Sequence, residues 1–197
     1  MRRYRTRAWR NFEPDAAPTA CIASGVTTLR ILGLDPGSRR TGFGVIECRG
    51  PDCVHIAHGC IEVARLAVAE RLRTIFESLQ ALIAQHGPAE IAVERVFVSR
   101  NVDSALKLGQ ARGAALCAIP QGIPVFEYAP RTIKLAVVGT GAAEKFQVGH
   151  MIRALLQLEG RIAADASDAL AIAVCHAHSR RAHVLAQESR AQWGRTA

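Results

Sequence analysis

Four acidic residues stand in apolar segments of a chain that is otherwise basic. Asp35 and Glu94 each end an apolar run, and Asp165 and Asp168 lie in an alanine-rich segment. A buried carboxylate is unfavourable without a partner or a cation, and neighbouring carboxylates repel one another. Hard cations such as Mg²⁺ prefer oxygen ligands of this kind. The four acids therefore predict a divalent-cation site.

Such a site requires elements that bring the acids together. Side chains alternate along a strand, so Gly33 and Asp35 share one face of a predicted strand, and Glu94 ends another. If these strands are neighbours, Asp35 and Glu94 converge. Asp165 and Asp168 are three residues apart on a predicted helix and project from one face. Asp165 also lies in the first turn, where the helix dipole favours an anion.

The rest of the sequence predicts an α/β domain. The predicted strands are 30–34, 42–47, 54–63, 90–97 and 124–128, and the predicted helices are 65–86, 103–119, 130–138, 143–158 and 165–183. A three-strand meander followed by alternating helices and strands predicts a mixed sheet with helices packed on it. Asn101 or Asp103 is expected to cap the second helix.

The two ends of the chain differ from the predicted domain, which spans residues 29–183. Residues 1–28 are rich in arginine at the start and predict a disordered basic arm. The arm could add DNA affinity or could be upstream sequence from an early start codon, and we favour the second. Residues 184–197 are polar and predict a flexible tail.

Charge and cysteine usage indicate partners and compartment. The formal net charge of the 197-residue chain is +8, which favours a polyanion such as nucleic acid, although a generic basic protein is the alternative. Six scattered cysteines predict reduced thiols in a cytoplasmic protein. A zinc site at Cys48, Cys53 and Cys60 is a weaker alternative because their spacing is irregular. The apolar runs are too short to span a membrane, so we expect no membrane association.

Each acid also has a simpler explanation when it is taken alone. Asp35 could begin an ordinary turn, Glu94 could pair with Arg95, and Asp165 could cap a helix. Their joint occurrence in this topology is much harder to attribute to chance. Two Mg²⁺ ions held by four carboxylates would stabilise the attacking and leaving oxygens of an in-line displacement at phosphorus, which releases a 3′ oxygen and leaves a 5′ phosphate.

Several segments between about residues 29 and 182 match a known family in order and without large gaps. They are 31–38 (ILGLDPGS), 41–46 (TGFGVI), 94–97 (ERVF), 101–113 (NVDSALKLGQARG), 124–128 (PVFEY), 137–139 (VVG), 143–145 (AEK) and 164–171 (ADASDALA). These segments resemble the RuvC family of bacterial Holliday-junction resolvases. The long segment 101–113 is the most specific of them.

The resemblance implies a ribonuclease H-like fold with a five-stranded mixed sheet flanked by helices. It implies a homodimer that resolves four-way DNA junctions by paired symmetric nicks during recombination and repair. Asp35, Glu94, Asp165 and Asp168 would be both catalytic and metal-binding, with two Mg²⁺ ions in each active site and Mn²⁺ as a substitute. The branch-migration proteins RuvA and RuvB would be partners.

Five further residues are expected to contact DNA. Phe97 is similar to a family aromatic that stacks or wedges at the junction centre, and Arg100 and Asn101 in the same loop would hold phosphates. Lys134 and Lys145 match two family lysines implicated in DNA contact. The simpler explanations are that Phe97 caps the core and that the lysines are ordinary solvated helix residues.

Three other functions compete with junction resolution. The first is a nuclease of the same fold that acts on another nucleic acid, and the second is a non-catalytic DNA-structure binding protein. The third is an actin-like sugar kinase or ATPase, which shares the Asp-containing strand start. That class needs a second phosphate-binding half, and this chain is too short to contain one.

Overall fold

The computed structural model describes residues 28–95 and 101–193, which form a five-stranded mixed sheet flanked by helices. The strands are β1 (Thr28–Pro36), β2 (Arg40–Arg49), β3 (Asp52–Glu62), β4 (Glu90–Glu94) and β5 (Val125–Tyr128). The helices are α1 (Val68–His86), α2 (Val102–Cys117), α3 (Pro130–Val138), α4 (Lys145–Leu155) and α5 (Ala164–Trp193). The predicted fold class is confirmed.

The strand order is β3-β2-β1-β4-β5. The first three strands pair in antiparallel fashion, whereas β1 with β4 and β4 with β5 are parallel. Parallel pairing of β1 with β4 aligns Leu34 with Val93. The two acid-bearing strands are therefore neighbours that end at the same edge of the sheet, which meets the condition for Asp35 and Glu94 to converge.

The two faces of the sheet carry separate apolar cores. Leu32, Leu34 and Val93 point toward α1 and α2. They form a cluster of buried apolar residues with side chains of those two helices. Ile31 and Ala92 point the other way, toward α3, α4 and α5. Burial of apolar surface on both faces of the sheet holds the helices in place. The odd-numbered residues of β1 lie on the face that α5 covers.

Three glycines let α5 approach the sheet closely, and we call Gly33, Gly42 and Gly44 the glycine bed. A Cβ atom built at Gly42 would lie 2.0 Å from the backbone oxygen of Asp165, and one at Gly33 would lie 2.1 Å from that of Ala169. Real Cβ atoms cannot approach so closely. The first turns of α5 therefore rest on β1 and β2 because no side chain separates them.

A hydrogen-bonded relay centred on the buried His176 joins the middle of α5 to the other edge of the sheet. The Tyr128 hydroxyl lies 2.6 Å from Nδ1 of His176, and His176 Nε2 lies 2.7 Å from Oε2 of Glu90. Arg180 Nε donates to the second Glu90 oxygen at 3.0 Å. Burial lowers the pKa of His176 despite the opposing effect of Glu90. The relay fixes α5 against β4 and β5.

The ends of the chain differ from expectation. The last helix was expected to stop near residue 183, but α5 continues to Trp193, so most of the predicted tail is helical. Segment 184–193 contains alanine, leucine, glutamine, glutamate and arginine, which favour helix. The predicted basic arm lies outside the described residues except for Thr28. Across the described ranges, the helices lack the combination of length and apolar character that a membrane span needs.

The cysteines correct one expectation. Cys48 and Cys53 form a disulfide with a Cα–Cα distance of 4.0 Å, so the prediction of reduced thiols is wrong for this pair. The reason is register, because the two residues lie directly opposite each other in the β2–β3 hairpin. The zinc alternative also fails, since two of its three thiols are bonded to each other. Cys60, Cys117 and Cys175 are free.

Candidate active site

Three of the four predicted acids line one cavity at the edge of the sheet. Asp35 comes from β1, Glu94 from the end of β4, and Asp168 from the first turns of α5. The cavity has a volume of about 340 Å³ and also contains Lys134 and Lys145. We call it the carboxylate cavity. The predicted convergence of residues far apart in the chain is present in the folded protein.

The fourth acid, Asp165, lies beside this cavity rather than in it. Asp165 lines an adjacent cavity with Arg40, and its Oδ2 atom is 3.9 Å from Nη1 of that arginine. Arg40 also pairs with Glu62 at 2.7 Å. The charge of Asp165 nevertheless contributes to the raised pKa of Asp35. The carboxylate of Asp165 is thus close enough to act on the cavity electrostatically.

The carboxylates disfavour one another's ionised forms. Burial raises the pKa of Asp35 to about 7, and the charges of Glu94, Asp168 and Asp165 add to the effect. Burial, followed by the charge of Asp168, also raises the pKa of Glu94. A site of this kind must bind protons or cations to relieve its repulsion.

Lysines supply part of that compensation. Lys145 Nζ donates to Oδ2 of Asp168 at 2.8 Å, and this hydrogen bond raises the pKa of the lysine. The charges of Lys145 and Lys134 oppose the rise in the pKa of Glu94. As the side chains now stand, the described residues include no group of three or more acidic, histidine or cysteine side chains spaced to hold one ion.

The donor chemistry nevertheless fits a divalent cation. Asp35, Glu94 and Asp168 offer carboxylate oxygens only, which is the preference of a hard ion. Their mutual repulsion favours a cation in the cavity, and the lysine that now pairs with Asp168 is more than three-quarters exposed, so it can move aside. The carboxylate cavity can therefore accept metal after local side-chain movement.

Arg112 fixes the position of Glu94, and sequence reasoning assigned it no role. Its guanidinium donates to the backbone oxygen of Glu94 at 2.5 Å and pairs with Glu127 on β5. Its side chain is only 14% exposed. Arg95 approaches Glu127 at 3.8 Å, and within the described part of the chain it forms no ion pair with Glu94, which was the simpler explanation of that acid. In the sequence, the only indication of this role is that an arginine stands among the small residues of α2.

The predicted DNA-contact residues have different outcomes. Lys134 and Lys145 lie in the carboxylate cavity. Asn101 is the N-cap of α2, where its side-chain oxygen accepts a hydrogen bond from the Ser104 amide at 3.2 Å, which confirms one of the two expected caps. Phe97 and Arg100 lie outside the described residues, and their contacts with DNA stay predictions.

Comparison with known proteins identifies the family. A family model described as crossover junction endodeoxyribonuclease RuvC matches residues 31–176. This chain belongs to the RuvC family. The matched range includes every acid of the site and both lysines of the carboxylate cavity.

Curated RuvC proteins are similar over most of the chain. A crossover junction endodeoxyribonuclease RuvC from Alkalilimnicola ehrlichii is 56% identical over 150 residues, which cover 76% of this chain and 91% of the relative. One from Marinobacter nauticus is 57% identical over 149 residues, covering 75% and 85%.

Solved RuvC structures share the fold. Thermus thermophilus RuvC is 32% identical with a TM-score of 0.71, and the match covers 79% of this chain and 97% of that one. The same RuvC in complex with a Holliday junction substrate is 31% identical with a TM-score of 0.74, covering 79% and 96%. The ribonuclease H-like fold expected from the sequence is confirmed.

Proposed function

We propose that this RuvC-family protein is an endonuclease that resolves four-way DNA junctions by paired symmetric nicks, in recombination and repair. The observation that carries the proposal is the meeting of Asp35, Glu94 and Asp168 in one cavity beside two lysines. It is supported by the Thermus thermophilus relative, which has been solved with a Holliday junction substrate. RuvA and RuvB as partners, and a cytoplasmic location, belong to the same proposal.

The cofactor we propose is Mg²⁺, with two ions in each site and Mn²⁺ as a substitute. Asp35, Glu94 and Asp168 would hold the ions, with Asp165 as the fourth ligand from the adjacent turn. Bound metal would supply charge neutralisation at the scissile phosphate and a water nucleophile at neutral pH. Arg112 holds the backbone of Glu94, and the glycine bed holds the turn that carries Asp165 and Asp168.

The basic side chains of the site would bind and orient the strand that is cut. Lys134 and Lys145 in the carboxylate cavity would contact phosphate oxygens. Phe97 would stack at the junction centre, with Arg100 and Asn101 on neighbouring phosphates. Because phosphate contacts carry no sequence information, junction shape would dominate binding.

The decisive experiment compares a synthetic four-way junction with a linear duplex of the same sequence, with and without Mg²⁺. We expect paired nicks with 5′ phosphates, only in the junction and only with metal. Equal cutting of both substrates would favour a ribonuclease H-like nuclease for another nucleic acid. Junction binding without any metal-dependent nicking would favour a non-catalytic binding protein.

The junction also suggests how two copies would assemble. Four residues on one stripe of α2 are exposed or have open space above them: Val102, Leu106, Gly109 and Gly113. Leu106 is 62% exposed, which is unusual for a leucine. We propose that this α2 stripe packs against its own copy. A twofold dimer would match the approximate twofold symmetry of the junction and place one active site on each of two strands.

Leu106→Glu tests the dimer. A buried charge on each copy of a self-complementary contact should raise the dimer dissociation constant at least about tenfold. Sedimentation equilibrium at micromolar concentration measures it, and the variant should make single nicks in place of paired ones. Val54→Glu, on exposed β3, is the control and should leave the dimer intact. A wild-type protein that is monomeric at micromolar concentration would contradict the proposal.

A further inference from the structure

A third cavity, distinct from the one that contains Arg40 and Asp165, adjoins the carboxylate cavity, and we call it the arginine cavity. It has a volume of about 320 Å³ and lies between α4, the loop after it and the first turns of α5. Its lining includes Phe146, Arg153 and Arg161. Lys145 and Asp168 line both cavities, so the two are continuous across that ion pair.

We propose that the arginine cavity binds a backbone phosphate of the cut strand, next to the scissile phosphate, while Phe146 packs against the adjoining sugar or base. The proposal rests on the proposed function, because it assumes that the scissile phosphate lies in the carboxylate cavity. It assigns Arg153, Arg161 and Phe146 to substrate positioning, and none of the three was singled out by the sequence.

The charges of the cavity favour an anion. Neither Arg153 nor Arg161 has an ion-pair or hydrogen-bond partner for its guanidinium within the described part of the chain. The one acid in the lining, Asp168, is already paired with Lys145 at 2.8 Å. The cavity therefore presents two uncompensated guanidinium groups, which match phosphate geometry and can bind it through two parallel hydrogen bonds.

The acid at the start of α4 does not cancel these charges. Glu144 is the N-cap of the helix, and its side chain accepts a hydrogen bond from the Gln147 backbone. In return, Gln147 Oε1 accepts from the Glu144 amide at 2.8 Å. This capping box turns the Glu144 carboxylate onto the helix end, and Glu144 is not part of the cavity lining.

The shape of α4 keeps the cavity open. Lys145, Gly149 and Arg153 are spaced four residues apart and lie on one face of the helix. A Cβ at Gly149 would touch only Ser167 Oγ, at 3.4 Å, so the glycine leaves the floor between the two cations free of side chain. A strand that passes from the carboxylate cavity over Lys145 would lead its next phosphate onto this floor.

Phe146 gives the rim of the cavity an aromatic surface. Its side chain is 70% exposed, although a phenylalanine is usually buried. An exposed ring beside cationic groups is the arrangement that binds single-stranded or distorted nucleic acid, because bases stack on the ring while the cations hold phosphates. Junction strands near the point of exchange are distorted in this way.

The first test is the salt dependence of junction binding, measured by fluorescence anisotropy without divalent metal so that no cutting occurs. Arg153→Gln with Arg161→Gln should reduce the slope of log K against log salt by about 1, since the two arginines share one phosphate and each phosphate contact contributes roughly 0.9. The matched control is the double variant Arg65→Gln with Arg73→Gln, which should leave the slope unchanged. Both arginines are exposed, the first just before α1 and the second within it. Equal slopes for the two double variants would overturn the proposal.

The second test locates the phosphate. Neutral methylphosphonates are placed one at a time beside the cleavage point of the junction. At one position the substitution should weaken binding of the wild-type protein about fivefold or more, yet have little effect on the Arg153/Arg161 double variant, which is the signature of coupled groups. Absence of coupling at every position would overturn the proposal.

Phe146→Ala separates stacking from charge. The variant removes an exposed ring and should fold normally, so its melting temperature serves as the check on structure. We expect junction affinity to fall about fivefold or more with an unchanged salt slope. Unchanged affinity would overturn the part assigned to Phe146. Failure of the wild-type protein to cut junctions would refute the proposed function itself, a result distinct from all of these.

Discussion

Asp35→Asn is expected to abolish metal-dependent cutting and, at the same time, to stabilise the metal-free protein above pH 7. Asparagine keeps the shape of the side chain but removes a negative charge from the carboxylate cavity. We expect the cutting rate to fall by about three orders of magnitude or more, because a proposed metal ligand is lost. Junction binding should persist, since it depends on the basic and aromatic side chains and not on the carboxylates.

The stability effect follows from the pKa of Asp35. Burial, with help from Glu94, Asp168 and Asp165, raises this pKa from 3.8 to about 7. The folded protein therefore holds the proton more tightly than the unfolded chain does. The free energy of unfolding must then decrease as the pH rises from about 4 to about 7, by up to about 4 kcal/mol, and stay low above that range.

The comparison of two pH values isolates this effect. At pH 5 the Asp35 of the wild-type protein is protonated and resembles asparagine, so urea unfolding in a chelator should show little difference. At pH 8 the variant should be the more stable protein. Asp52→Asn, at the exposed first residue of β3, is the control and should match the stability of the wild type at both pH values. Lower stability of Asp35→Asn at pH 8 would contradict the electrostatic explanation.

Metal binding provides an independent readout. A ligand that binds only the folded state stabilises it by an amount that grows with the logarithm of the ligand concentration divided by the dissociation constant. Mg²⁺ should therefore raise the melting temperature of the wild-type protein at pH 8 more than that of Asp35→Asn. Retention of cutting by the variant would refute the catalytic assignment, and equal loss of cutting and junction binding would refute the separation of metal from DNA contacts.

Local pattern predicts which face of its strand Asp35 and Glu94 each occupy, because side chains alternate along a strand. That the two acids meet was predicted only on the condition that their strands are neighbours. The structure meets this condition, since β1 pairs with β4 in parallel and aligns Leu34 with Val93. Because β2, β3 and α1 lie between these strands in the chain, the pairing is a long-range contact that local pattern does not show.

The different placements of Asp165 and Asp168 could not be predicted in the same way. Helical spacing puts them on one face, yet Asp168 lines the carboxylate cavity and Asp165 the cavity beside it. Which cavity each side chain enters depends on how α5 sits on the sheet. That docking is set by glycines more than a hundred residues earlier in the chain, whose effect appears only after folding.

Long-range contacts explain the other differences. Arg112 acquires its role because α2 passes close to the end of β4, and nothing near it in the sequence marks that contact. The Cys48–Cys53 bond depends on hairpin register, which a count of cysteine spacings does not reveal. Composition led to the expectation of reduced thiols, but it could not indicate which side chains face each other.

Gly42→Ala is expected to damage the site without touching any acid. The added methyl group would lie 2.0 Å from the backbone oxygen of Asp165, so the first turn of α5 must move away from β2. Overpacking of this kind lowers the free energy of unfolding by about 1 to 3 kcal/mol. The movement also carries Asp165 and Asp168 away from Asp35, and a displacement of about 1 Å can reduce a catalysed rate about a hundredfold.

Gly59→Ala is the matched control for this change, because it adds the same methyl group to the same hairpin. The new Cβ would meet Phe43 Cζ at 2.7 Å, which is the far end of a side chain that can rotate, whereas the obstacle at Gly42 is backbone. We therefore expect a small loss of stability and nearly normal cutting for Gly59→Ala. Urea unfolding and junction cutting measure the two effects on both variants. If Gly42→Ala matched Gly59→Ala in both stability and cutting, the close packing of α5 on β2 would be contradicted. The glycine bed would then not position the acids of α5.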